Sequence, residues 1–65
     1  MEIKRIREAA GLRQYELAER IGVKQASVSA WESGAAMPSA ANLLKLADIF
    51  GCTVDEILGR KPGGA

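Results

Sequence analysis

The chain has 65 residues, 48% hydrophobic and 26% charged, with nine Lys plus Arg against eight Asp plus Glu for a net charge of +1. That describes one small domain with one core, too apolar for a chain disordered from end to end and too balanced in charge to announce a nucleic-acid or anionic-membrane partner in bulk. With no His and the single Cys52, it offers no internal disulfide, no zinc-ligand set and neither a Ser-His nor a Cys-His nucleophile pair; a binding role is expected, not an enzyme, and no cofactor.

The start, Met1-Glu2-Ile3-Lys4-Arg5, carries charge where a signal peptide needs an apolar stretch, and no run is long enough to span a bilayer, so no membrane partner and a cytoplasmic protein are expected. Glycines at 11, 22, 34, 51 and 59 each close a segment whose apolar residues recur at helical spacing, the pattern of a left-handed residue ending a helix. The fold class is therefore all-α. The first helix is predicted over about Glu2 to Ala10, with Ile3, Ile6 and Ala10 inward, and Leu12 packs at the turn that follows. The second runs from about Gln14 to Ile21, with Leu17, Ala18 and Ile21 inward.

The third helix, about Gln25 to Ser33, places Val28 and Trp31 on its inner side. A rotation of about 100° per residue puts Ala26, Ser29, Ala30 and Ser33 on the opposite side, with Gln25 at the leading edge. Pro38 biases Met37 out of the helical region. Ser39 then caps a fourth helix carrying Leu43, Leu46, Ala47 and Phe50. Thr53 and Glu56 have capping-box spacing at the start of a fifth helix, Val54 to Leu58. Residues 1–59 form the expected domain and 60–65, with nothing apolar to bury, an expected flexible tail.

Two helices joined through Gly22-Val23-Lys24 make a helix-turn-helix candidate. The residues Gln14-Tyr15-Glu16-Leu17-Ala18, the central Gly22, Ser29-Ala30-Trp31-Glu32-Ser33-Gly34, and Pro38-Ser39 before Leu43-Leu44-Lys45-Leu46-Ala47 resemble, in that order, the phage repressor and Cro type of helix-turn-helix. The likeness covers about Ile3 to Leu58. It implies a five-helix bundle of the lambda-repressor-like type, in which the second helix lies across the DNA backbone and the third enters the major groove.

Carried over residue by residue, the resemblance assigns base reading to Gln25, Ala26, Ser29 and Ala30. Gln suits the role because a carboxamide donates to N7 and accepts from N6 of adenine, whereas Ala offers a methyl to thymine and Ser takes either partner. It assigns a phosphate contact to Gln14; the cations Arg13 and Lys24 beside the starts of the second and third helices, with Ser27 and Ser33, are further phosphate candidates, and Arg5 and Lys61 further candidate cations. Arg7 and Glu32 match a pair that ties the first helix to the end of the third in relatives. Ile57 and Leu58 match a dimer contact, as expected of a homodimer on a pseudo-palindromic operator. Trp31 reads as core, since one aromatic alone makes no stacking platform.

Three features depart from the family pattern. Lys24 stands where relatives cap the third helix with Ser or Thr, Ala30 where Arg is frequent, and Ala35-Ala36-Met37 carries no charge in a loop often rich in Lys or Arg. Fewer cations mean weaker DNA binding and a flatter salt response. The leading expectation is a small transcriptional regulator, a repressor, that binds a specific double-stranded DNA site. The alternative is a protein-interaction module, such as an antitoxin with a toxin as partner, that keeps the helix-turn-helix as scaffold.

Overall fold

The computed structural model describes residues 1–60. Five helices follow one another: α1 (Ile3–Ala9), α2 (Gln14–Ile21), α3 (Gln25–Ser33), α4 (Ala40–Phe50) and α5 (Val54–Leu58). Each presents one apolar stripe to a common centre. Ile3, Leu17, Ala18, Ile21, Val28, Trp31, Leu46 and Ile57 are buried there, with Ile6, Leu12, Val23, Leu43, Ala47, Ile49 and Phe50 packed around them. Trp31 is thus core, as its spacing from Val28 predicts.

The helix boundaries follow from capping chemistry. Ser39 Oγ accepts the Asn42 amide at 3.2 Å and starts α4; Thr53 Oγ1 accepts the Glu56 amide at 3.1 Å and starts α5. Arg13 has no side-chain acceptor to give α2, and the Glu16 carboxylate supplies the other half of a capping arrangement by accepting the Arg13 amide at 2.9 Å. Lys24 gives α3 no side-chain cap.

Gly22 makes the tight turn between α2 and α3. Its φ is +87°, a region an L side chain enters only at a cost, and it lets the Gly22 and Val23 amides both reach the Ala18 carbonyl, at 2.8 and 3.0 Å. The turn folds α3 back so that Val28 and Trp31 meet the buried side of α2. Lys45 of α4 donates its Nζ to the Ile21 carbonyl at 3.3 Å, which satisfies the end of α2.

One inward assignment is corrected. Ala10 is exposed. Its amide is shared between the Ile6 and Arg7 carbonyls, at 3.0 and 3.1 Å, so the last turn of α1 tightens and carries Ala10 off the apolar stripe. Leu12 takes the inner position instead. At the other end of α1, the Glu2 amide donates to the Ile57 carbonyl at 2.8 Å and joins the first helix to the last. No helix of the described residues is long and apolar enough to cross a membrane.

Candidate nucleic-acid interface

The buried side of α3 is fixed by Val28 and Trp31, and what faces out is fixed with it. Gln25, Ala26 and Ser29 are exposed; Ser27 and Ala30 are half-buried. Lys24 and Arg13, the residues just before α3 and α2, are both exposed. Gln14, the first residue of α2, is half-buried because it leans on α3.

Behind this face runs a chain of hydrogen bonds that crosses three helices. Arg7 Nε donates to Glu32 Oε2 at 2.6 Å and Arg7 Nη2 to Glu32 Oε1 at 3.1 Å, a two-pronged pairing of guanidinium and carboxylate. Arg7 Nη1 donates to the Leu12 carbonyl at 2.7 Å. Gln14 Nε2 donates to Glu32 Oε1 at 2.9 Å, and Gln25 Nε2 donates to Gln14 Oε1 at 3.4 Å. The Arg7 and Glu32 side chains are only 10% and 5% exposed.

Burial by itself pushes the Glu32 carboxyl up, but the hydrogen bonds from Arg7 and Gln14 and the Arg7 charge outweigh it, and Glu32 sits below the usual carboxylate range. The Arg7 guanidinium is correspondingly held in its charged form by the hydrogen bond to Glu32, against the opposing effect of its own burial. Burial, followed by the nearby Glu56 charge, pushes the Cys52 thiol up, away from the thiolate that a nucleophile needs. Among the described residues no group of three or more His, Cys, Asp or Glu is placed to hold a metal ion.

Several residues named from the sequence have other engagements. The Ser33 hydroxyl donates to the Ala30 carbonyl at 3.2 Å and accepts the Ala35 amide at 3.4 Å, so it helps finish α3. Arg5 pairs with Glu2 on its own helix. Ile57 has no exposed surface and belongs to the core, with Leu46 and Ile3 also fully buried, so it presents nothing to a second copy; of the two residues matched to a dimer contact only Leu58 keeps accessible surface. Lys61, and residues 61–65 of the expected tail, lie outside the described residues.

Sequence reasoning missed three features. Gln14 and Glu32 are 18 residues apart, and no local pattern links them. Tyr15 is exposed beside Arg13 and Gln14, which helical arithmetic would have placed. Met37 in the uncharged loop and Leu44 on α4 are 63% and 62% exposed.

Comparison with known proteins gives a consistent picture. The profile of the helix-turn-helix family matches residues 3–57. The cryptic phage CTXphi transcriptional repressor RstR of Vibrio cholerae is 37% identical over 54 residues, 83% of this chain and 48% of that protein. The HTH-type transcriptional activator BcrR of Enterococcus faecalis is 33% identical over 57 residues, 88% of this chain and 28% of that protein. The HTH-type transcriptional regulator AnsR of Bacillus subtilis is 34% identical over 64 residues, 94% of this chain and 55% of that protein. The chain thus spans between about a quarter and just over half of the length of these relatives. No solved structure gives a significant match.

Proposed function

The chain belongs to the helix-turn-helix family, and from that premise we propose that it is a transcriptional regulator that reads specific double-stranded DNA with α3 in the major groove. The observation that carries this reading is the exposed front of α3, where Gln25 is hydrogen-bonded to Gln14 at the start of α2. That arrangement sets a base-reading amide beside a phosphate-reaching one. A groove about 12 Å wide admits one helix. Ala26, Ser29 and Ala30 continue the reading surface behind Gln25, and Arg13, Lys24 and Ser27 flank it towards the phosphates; Ser33 joins them only by turning its hydroxyl hydrogen away from the Ala30 carbonyl.

One helix reads few base pairs, so useful affinity calls for a dimer on a pseudo-palindrome with half-sites about 34 to 36 Å apart. Leu58 at the end of α5 is the residue through which we propose the two copies meet. Sedimentation that returned a monomer, with and without DNA, would remove this part. Repression by occupying a promoter requires nothing beyond binding, and the similarity to a phage repressor supports it. A reporter whose output rises on supplying the protein would reverse the sign.

Selection from a randomised duplex pool tests the reading as a whole. The wild type should enrich one motif at low salt, and Gln25→Ala should lose its preference at one base position by a factor matching about 1 to 3 kcal/mol. No enrichment rejects specific DNA binding, whereas enrichment unchanged by the substitution rejects Gln25 as a reader. The exposed Met37 and Leu44 favour a second reading, a protein partner such as a toxin that docks on exposed apolar side chains. A stoichiometric protein complex together with no DNA retention at low salt would decide for it.

A further inference from the structure

Gln14 stands between a buried carboxylate and the residue assigned to base reading. Its Nε2 donates to Glu32 Oε1 at 2.9 Å and its Oε1 accepts from Gln25 Nε2 at 3.4 Å. Glu32 dictates which end of each amide points where. A carboxylate only accepts hydrogen bonds, so the Gln14 NH2 must face it; the Gln14 carbonyl then faces Gln25, which must answer with its own NH2. Glu32 cannot turn aside, because Arg7 holds both of its oxygens and is itself tethered to the Leu12 carbonyl.

We propose that Glu32 is a positioning residue for base reading: through Gln14 it sets the amide orientation of Gln25 before DNA is met. The inference rests on the DNA-reading role of α3 and deepens it. Gln14 uses one N–H of Gln25 and leaves the other N–H and Oε1, the donor and acceptor that N7 and N6 of adenine require. Guanine presents acceptors at both N7 and O6 and offers nothing to that oxygen. At 3.4 Å the Gln14 to Gln25 bond is weak, so it biases the amide and does not lock it. Sparing one side chain from being ordered on binding accounts for a factor of about three to ten. The Arg7 and Glu32 pair accordingly does more than join α1 to α3, since it is the rigid base of a lever that ends at the reading face.

The first readout uses the protein without DNA: ¹⁵N relaxation of the side-chain amides. Gln25 should be ordered in the wild type and lose order in Gln14→Met, which leaves the Arg7 and Glu32 pair in place. In Glu32→Gln the new carboxamide can offer its own NH2 to Gln14, so the Gln14 and Gln25 amides should both loosen. Equal Gln25 order in the wild type and Gln14→Met overturns the inference even if Glu32→Gln does not fold, and unchanged Gln14 order in a folded Glu32→Gln protein does so as well. The second readout is selection from a randomised duplex pool. Gln14→Met should lower the adenine over guanine preference at the Gln25 position about three- to tenfold, beyond any uniform loss of affinity; a uniform loss with that preference intact overturns the proposal. Failure of the wild type to enrich any duplex would reject the DNA-reading role alone, because amide order is measured without DNA.

Discussion

Arg7 makes three hydrogen bonds, two to Glu32 and one to the Leu12 carbonyl, from a side chain that is only 10% exposed. Replacing it by Ala leaves a buried carboxylate without its counter-charge, at a cost of about 3 to 5 kcal/mol. A domain of this size keeps about that much in total, so Arg7→Ala should be largely unfolded at 25 °C, and urea melts with wild-type stability would refute the account. Arg5→Ala is the control: its pairing with Glu2 is exposed, and its loss should leave the melts unchanged. The same chemistry fixes a pH dependence. Glu32 is held below its ordinary value of 4.5 in the folded chain, so its contribution to stability is complete above that pH and is lost as pH falls through the lowered folded value. Thermal melts should therefore weaken below about pH 4.5, and Glu32→Gln should flatten that part of the profile.

At the scale of the elements, α3 is held by packing and by its turn, not by its own cap. Lys24 has the extended backbone of a capping residue, φ −78° and ψ 150°, but no side-chain acceptor for the helix. Lys24→Ser should stabilise the domain by about 1 kcal/mol in urea melts while weakening DNA binding through the lost cation, a split that one substitution rarely gives. Gly22→Ala should destabilise the domain. Its added methyl would meet no atom within 4 Å, so the cost is the left-handed backbone alone, about 1 to 2 kcal/mol, and a measured cost near zero would show that the turn relaxes. The elements were legible because their signals are local. Gly22 and Gly34 mark helix ends, Ser39 and Thr53 mark starts, and Val28 with Trp31 orients α3, all within a turn or two of chain. Ala10 was misplaced because a shared hydrogen bond, invisible to periodicity, tightens the end of α1. The bond from Gln14 to Glu32 was illegible for a deeper reason: it exists only once α2 has packed on α3, and a spacing of 18 residues carries no signal of it.

For the whole molecule, the near balance of charge matters less than where the cations are already engaged. Lys45 donates to the Ile21 carbonyl, Arg7 is buried against Glu32, Arg60 lies 3.8 Å from Asp55, and Arg5 is paired with Glu2. Of the cations assigned to phosphates from the sequence, Arg13 and Lys24 stand exposed at the starts of α2 and α3, beside Gln14 and Gln25. The uncharged Ala35-Ala36-Met37 loop adds none. Two phosphate contacts from each subunit of a dimer release enough counterions for a log-log salt slope of about −4. Titrations over a range of salt concentrations should return that value, and Lys24→Ser should flatten it to about −2. A slope near zero would remove the electrostatic account. A slope near −7 would mean that about four cations per subunit reach the backbone, the further ones drawn from Arg5 released from Glu2, the exposed Lys4 and Arg20, and Lys61. Arg5→Ala shows whether Arg5 is among them, because it lowers a steep slope only if Arg5 contributes to it and leaves a shallow one as it is.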